Sequence, residues 1–478
     1  MRSPTRRDFL NTLAVGAVWT GYARSAGAAV RADMLRSPNA PRADGWDQVP
    51  DILKRIQAPI FPDRAFEAGK YGAVADGVND CTDALQRAID DCHAAGGGRV
   101  NLPAGRMATG PLRLRSNVNL VLKKGTVLAF TTDPSRFPLV LTRFEGVEVM
   151  NYSPLLYAHG EENIAITGEG TLDGGANCMD WWSWKGATEC SVADRHDQAN
   201  GRKRLFEMAE AGVPAANRVA GQGWYLRPSF VQPYACRNVL IEGITIVNSP
   251  FWLLHPVLCT NVTIRNVTAA SLGPNNDGCD VESCRDVLLE GCTFETGDDC
   301  VVIKSGRNAD GRRLHAPSEN IIVRRCTMRD GHGGVTIGSE ISGDARRVFV
   351  EDCEMSSPRL DRGIRLKTNA MRGGVIEDVF VRNVRVGEVA EAVLSIDFTY
   401  EEGAAGQFMP TVRGIELRDV TSRQSKYGLY LRGFASAPIT DVRLTRCTFD
   451  HVSKPDVIEN VKGLSMKGVR VNGKRVGA

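Results

Sequence analysis

The most constraining feature of this chain is a short unit that recurs through its C-terminal half: a polar residue, three residues rich in Val, Ile or Leu, two polar residues, Cys or Val, a spacer and an apolar residue. It reads Asn238-Val239-Leu240-Ile241, Asn261-Val262-Thr263-Ile264, Asp286-Val287-Leu288-Leu289, Asn320-Ile321-Ile322-Val323, Arg347-Val348-Phe349-Val350, Asp378-Val379-Phe380-Val381, Gly414-Ile415-Glu416-Leu417 and Asp441-Val442-Arg443-Leu444. Successive units start 23, 25, 34, 27, 31, 36 and 27 residues apart. Helical repeats hold their period more tightly. Short β-branched strands that alternate in and out, separated by Gly, Asn and Asp turns, instead build the coils of a parallel β-solenoid, and the variable remainder becomes loops. Asn117-Val118-Asn119-Leu120, Gly146-Val147-Glu148-Val149 and Asn163-Ile164-Ala165-Ile166 extend the pattern toward the N-terminus. An amphipathic helix predicted from Asp83 to His93 caps the first coil and hides its edge.

In a solenoid, matching residues of successive coils stack about 4.8 Å apart, so aligning coils gives geometry. Placing Ser283, Ser305, Ser339 and Thr368 in one column points Val281, Ile303, Ile337 and Leu366 inward. The alternating positions then face outward, with Asp280 and Arg365 in one column and Glu282, Lys304 and Lys367 in the next. Asp277 falls level with Asp299, and Asp298 with His332. One outer face thus collects carboxylates, a histidine and basic side chains within a few coils, a concentration more typical of an active site than of a solvated face.

The composition is that of a soluble protein with a large core: 478 residues, 42% hydrophobic, 24% charged, formal net charge +3. Neither nucleic acid nor membrane is suggested as a partner. Cys292, Cys326, Cys353 and Cys447 share one place in the repeat and read as an inward stack of small apolar side chains. Cys178 and Cys190 flank a loop and are the more plausible bridge. Cys81 and Cys92 lie roughly 16 Å apart along the capping helix and should not bond. No CxxC pair points to a metal. The longest interruption, about 174–227, carries Trp181-Trp182-Ser183-Trp184, Arg202-Lys203-Arg204 and Trp224-Tyr225. Loops this long are usually functional, and its aromatic and basic residues suit either outer sugar subsites or simple packing onto the solenoid.

Asn275-Asn276-Asp277, Gly297-Asp298-Asp299-Cys300, Gly331-His332-Gly333 and Arg365-Leu366-Lys367, in that order, resemble the four signature motifs of the polygalacturonase family, glycoside hydrolase family 28. Asn276 departs from the family's Asn-Thr-Asp, which touches fine positioning more than chemistry. The resemblance spans roughly residues 60 to 455. It implies an all-β, single-domain right-handed parallel β-helix, bacterial and exo-acting in style, that hydrolyses α-1,4-galacturonosyl linkages of polygalacturonate with inversion and needs no cofactor or metal. Asp298 would be the general acid, and Asp277 with Asp299 would hold and deprotonate the water across a separation of roughly 6.5 to 9.5 Å. His332 would tune Asp298, while Arg365 and Lys367 would bind the substrate carboxylate. Three close carboxylates cannot all ionise cheaply, so one keeps its proton and activity favours mildly acidic pH. Asn275 either binds a sugar hydroxyl or caps a turn; Lys304, Glu282 and Asp280 either contact substrate or form ion pairs between coils.

Thr5-Arg6-Arg7-Asp8-Phe9-Leu10, a weakly apolar run from Leu13 to Trp19 and Ala26-Gly27-Ala28-Ala29 resemble a twin-arginine export signal. Residues 1–29 are read as that signal, 30–60 as an extension and 61–470 as the catalytic β-helix, placing the mature enzyme in the periplasm or outside the cell. A rhamnogalacturonan or xylogalacturonan hydrolase is the nearest alternative. A calcium-dependent pectate lyase and a non-catalytic carbohydrate-binding β-helix share the solenoid. Oligomeric state is not legible.

Overall fold

The computed structural model describes residues 44–186, 190 and 197–477, so the export segment lies outside the described residues. The chain divides into two compact units, 1–47 and 48–478. In the first, the described residues begin a single 3-10 turn, Gly45–Gln48. All that follows concerns the second.

The second unit is a parallel β-helix, right-handed as such crossovers are. Among the described residues one face carries 13 strands and the next 14; the third carries a 3-stranded and a 7-stranded sheet. Bridges from Val231 to Leu254 and from Leu254 to Cys279 join the two parts of that third face. The repeat stacks in the expected register: Ile241, Ile264, Leu289, Val323, Val350, Val381, Leu417 and Leu444 are successive partners. All eight are at most 1% exposed and fill the interior.

The polar residue that opens each unit is explained by backbone geometry. Asn238, Asn261, Asp286, Asn320, Asp378 and Asp441 all have φ between 55° and 60°, the left-handed region that Asn and Asp tolerate best after Gly. The asparagines also form a ladder, Asn163 donating to Asn117 (3.0 Å), Asn238 to Asn163 (2.9 Å) and Asn261 to Asn238 (2.8 Å). Arg347, the odd member, has φ 54° and continues the ladder by donating Nε to Asn320 Oδ1 at 2.6 Å.

The capping helix runs Thr82–Ala94 and buries Ala84, Leu85, Ala88, Ile89 and Cys92 against the first coil. Part of the 30–60 extension is a second helix, Val49–Arg55, whose Arg55 pairs with Asp286 on the first face. Cys292, Cys326 and Cys353 are buried free thiols, as is Cys447, and Cys178 is bridged to Cys190. Cys81 and Cys92 are unbridged. A second thiol stack, Cys236, Cys259 and Cys284, went unrecognised in the sequence because it lies on a different corner of the coil.

One expectation is corrected. Gly146-Val147-Glu148-Val149 belongs to no coil: Val147–Tyr152 pairs antiparallel with Leu139–Phe144 in a separate hairpin. Its alternation of buried and polar residues mimics a coil strand, because a hairpin lying on a surface obeys the same period of two. The 174–227 interruption is as long as expected and contains a helix, Ala199–Glu210. Its tryptophans pack: Trp181 is buried, 4.6 Å from the Trp184 ring and 5.5 Å from Phe137, and Trp182 donates Nε1 to Ser249 O at 2.8 Å. Arg202 is held by Glu145 on the hairpin turn at 2.6 Å.

Candidate active site

Four consecutive coils of the third face build the site, through Cys279–Glu282, Val301–Lys304, Val335–Ile337 and Arg362–Lys367. Their register pairs Val281 with Ile303, Ile303 with Ile337 and Ile337 with Leu366, which turns the alternate residues outward as the sequence alignment requires. The turns just before these strands carry Asp277, Asp298, Asp299 and His332.

Asn276, the departure from the family motif, sets the first turn. Its amide oxygen accepts from Ser271 Oγ (2.6 Å) and Gly273 N (3.0 Å), and its nitrogen donates to Ser249 O (3.1 Å) and Phe251 O (3.0 Å). That uses the whole hydrogen-bonding capacity of the group, so the turn is clamped and Asp277 is left free for chemistry. On the next coils, glycine is obligatory at 333, where a Cβ would lie 2.3 Å from Thr336 Oγ1 and 2.7 Å from Asp299 Oδ1.

The result is a cluster in which one oxygen from each of Asp277, Asp298 and Asp299 lies within 4.8 Å of the others. Two hydrogen bonds of about 2.8 Å to one water put their acceptors about 4.6 Å apart, so a single water or sugar oxygen fits among them. This is closer than the 6.5 to 9.5 Å anticipated from general inverting enzymes, because adjacent coils set the spacing by stacking.

The three carboxyls have different surroundings. Asp299 Oδ1 accepts from Thr336 Oγ1 (2.9 Å) and Arg365 Nη1 (3.1 Å), and Oδ2 accepts from Lys367 Nζ (2.7 Å). Burial would raise its pKa, but Lys367 and Arg365 overrule it and hold the group well below the usual carboxylate range. Asp298 Oδ1 meets His332 Nδ1 at 3.0 Å, and this bond outweighs burial, so Asp298 too is lowered. The same bond raises His332 to about 9. Asp277 has a buried Oδ1 with no hydrogen-bond partner, and burial followed by Asp280 and Asp298 pushes it well above its ordinary value. Of the three carboxyls, Asp277 is therefore the one whose surroundings most favour the protonated form. The proton expected on Asp298 resides instead on the imidazole beside it.

Seven expected site residues are thus gathered: Asn275, Asp277, Asp298, Asp299, His332, Arg365 and Lys367. Arg365 and Lys367 differ from expectation in already engaging Asp299; their charges face the ring of Tyr400, 5.6 and 5.0 Å from its centre. Asp280, Glu282 and Lys304 do not line the cleft. Glu282 is fully buried and accepts from Arg143 Nη1 (2.7 Å) while meeting His255 Nε2 (2.8 Å). Lys304, 4% exposed, donates to Glu340 Oε2 at 2.9 Å and stands 3.7 Å from the fully buried Asp280. Alternation points these side chains out of the coil, but the 139–152 hairpin and the Glu340 turn cover them, which no repeat pattern encodes. Thr336 was overlooked although it shares the Asp280–Arg365 column, and Tyr400, in a loop between coils, leaves no signal in the repeat.

A cation placed among the three carboxylates would compete with Arg365 and Lys367 for Asp299, so the donor set favours a neutral oxygen over a metal.

Residues 217–469 match the family described as Glycosyl hydrolases family 28. The chain belongs to this family. Glycosyl hydrolase family 28 therefore accounts for the order of the four motifs along the coils. A hyperthermoactive exopolygalacturonase from Thermotoga maritima, solved as a crystal structure, is 43% identical, with a TM-score of 0.88, over 90% of this chain and 97% of that one. A probable polygalacturonase of Vitis vinifera is 27% identical over 87% of this chain and 81% of its own length. An exo-poly-alpha-D-galacturonosidase of Dickeya chrysanthemi is 26% identical over 70% of this chain and 57% of its own. As a family 28 member the chain is a glycoside hydrolase.

Proposed function

We propose that this enzyme hydrolyses the α-1,4-galacturonosyl linkages of polygalacturonate from chain ends, with inversion. The observation that carries the reading is the cluster of three carboxylates within 4.8 Å set beside Arg365 and Lys367. Asp298 and Asp299 are held below the ordinary carboxylate value and Asp277 is pushed well above it, while His332 is raised to about 9 and stands with the cations Arg365 and Lys367. Three cationic side chains facing this cluster suit a uronate better than a neutral hexose.

In the reaction, Asp298 and His332 together hold one proton and deliver it through Asp298 to the departing glycosidic oxygen. Asp299, fixed by Thr336, Arg365 and Lys367, orients the water and takes its proton. Asp277 completes the water's coordination.

Exo action is supported by the cover on the Asp277 side of the face. Thr142 bonds Gln232 at 2.6 Å and Arg143 bonds Glu282 at 2.7 Å, so the hairpin seals the columns along which a longer chain would run. A time course of polygalacturonate digestion should release monomer or dimer from the start; a ladder of intermediate lengths would refute exo action. Proton NMR of the first product should give the β-anomer, and the α-anomer would refute inversion. An unsaturated product absorbing in the ultraviolet would indicate a lyase instead.

Export rests on the basic, weakly apolar start of the chain. The mature protein, recovered from periplasm or medium, should begin near Ala29 or Val30; a full-length chain retained in the cytoplasm would refute it.

A further inference from the structure

The last residue of the long insertion, Arg227, is 1% exposed and spends its guanidinium on three separate segments. Nε donates to Gln198 Oε1 (3.2 Å), immediately before the insertion helix. Nη1 donates to Pro250 O (3.0 Å) and Pro274 O (2.7 Å), and Nη2 to Asn275 Oδ1 (2.7 Å). The plane lies 5.0 Å from the Phe251 ring. A guanidinium has no acceptor, so it can meet only the oxygen of the Asn275 amide. The amide nitrogen must then face the other way, and there it contacts Asp298 Oδ2 at 3.4 Å. Such contacts are often long in a free site and tighten around substrate.

We propose that Arg227 is a positioning residue: it fixes Asn275 with its NH2 group toward the cleft and, through it, sets the orientation of the Asp298 carboxyl. The proposal rests on the hydrolase reading above. The insertion then does more than pack onto the solenoid, for it tethers the proton donor to the insertion helix through Gln198. The other charged groups facing Asp298 are Asp277, Asp299, His332, Arg365 and Lys367.

The test is Arg227→Lys, which keeps the charge but loses the fork that spans several acceptors. On polygalacturonate we expect kcat to fall about tenfold to a hundredfold with KM changed less than about threefold, the pattern of a lost transition-state contact. The Asp298 titration step, followed through the His332 ring resonance, should move to higher pH because its carboxylate loses a donor. An unmoved step would overturn the proposal. In an Asn275→Ala background Arg227→Lys should cost nearly nothing further, whereas additive losses would mean that Arg227 does not act through Asn275.

Arg218→Lys is the structural control. Arg218 is an equally buried insertion arginine bonded to Asp310 at 2.6 Å, and it should lower stability without moving the titration step. The same step displaced in Arg218→Lys would overturn the proposal. Should Arg227→Lys fail to fold, Gln198→Ala loosens the guanidinium from its far end and should show the same changes at smaller size; an unmoved step there also counts against the idea. Failure of the hydrolase reading looks different, as Asp298→Asn would then retain hydrolysis.

Discussion

Two groups of charges sit on neighbouring columns of the same sheet face and have opposite characters. Around Glu282 and Lys304, carboxylates meet buried cations: Arg143, His255, Glu340 and Arg307 close a network with side chains at most 7% exposed. A few residues away, Asp277 has an oxygen with no partner, Asp298 is 18% exposed and His332 52% exposed. What separates them is access: the first group is shut away from solvent even though Arg143 Nε and Nη2 lack partners, whereas the second opens onto the cleft. Charges that hold the hairpin to the coils are closed off by protein, whereas charges that do chemistry stay within reach of something that arrives later.

The contrast can be broken most forcefully at Asp298. Asp298→Asn should lower kcat on polygalacturonate by about 10²–10⁴ with the thermal melting midpoint nearly unchanged. Glu282→Ala should do the reverse, costing about 3–5 kcal/mol of stability by leaving Arg143 buried and unpaired, while protein that remains folded retains kcat. Denaturant titration beside initial rates separates the two, and a Glu282 variant that is stable but inactive would erase the distinction.

His332→Ala is a smaller perturbation, expected to cost about tenfold to a hundredfold in kcat/KM. Its signature is in the pH profile. His332 is raised to about 9 by Asp298, so the pair's stabilisation is full below the ordinary histidine value of about 6.5 and disappears as pH rises through about 9. Asp298 has the opposite sign: its lowered pKa gives stability above about 3.9 that is lost on acidification. Melting midpoints of the wild type should therefore decline between pH 6.5 and 9 by more than those of His332→Ala; equal declines would show that the pair does not form. Smallest of all, Thr336→Val removes one of three donors to Asp299 and should cost a few-fold in kcat. Chelator should change no rate.

What was legible in the sequence follows from what stacking preserves. Coil register, the inward column through Val281 and Leu366, and the meeting of Asp277 with Asp299 depend only on counting residues from one Asn or Asp turn to the next, and those turns are marked by the left-handed backbone they need. Whether an outward residue sees solvent depends on chain from elsewhere, and here counting failed. Glu282 and Lys304 were expected at the surface of the cleft, yet a hairpin more than a hundred residues earlier covers Glu282. Proton location was equally hidden, since a 3.0 Å approach of His332 decides it and no motif records distance.

The thiol stacks carry a practical consequence for anyone handling the protein. Eleven free cysteines are all buried, and hydrogen bonds between neighbouring thiols together with burial push Cys236, Cys259 and Cys292 up, so the native enzyme should resist alkylation and air. Once unfolded, the same thiols become reactive together, about one coil spacing from forming wrong pairs as the chain collapses. Recovery from denaturant should therefore depend on reductant during refolding and be indifferent to it afterwards.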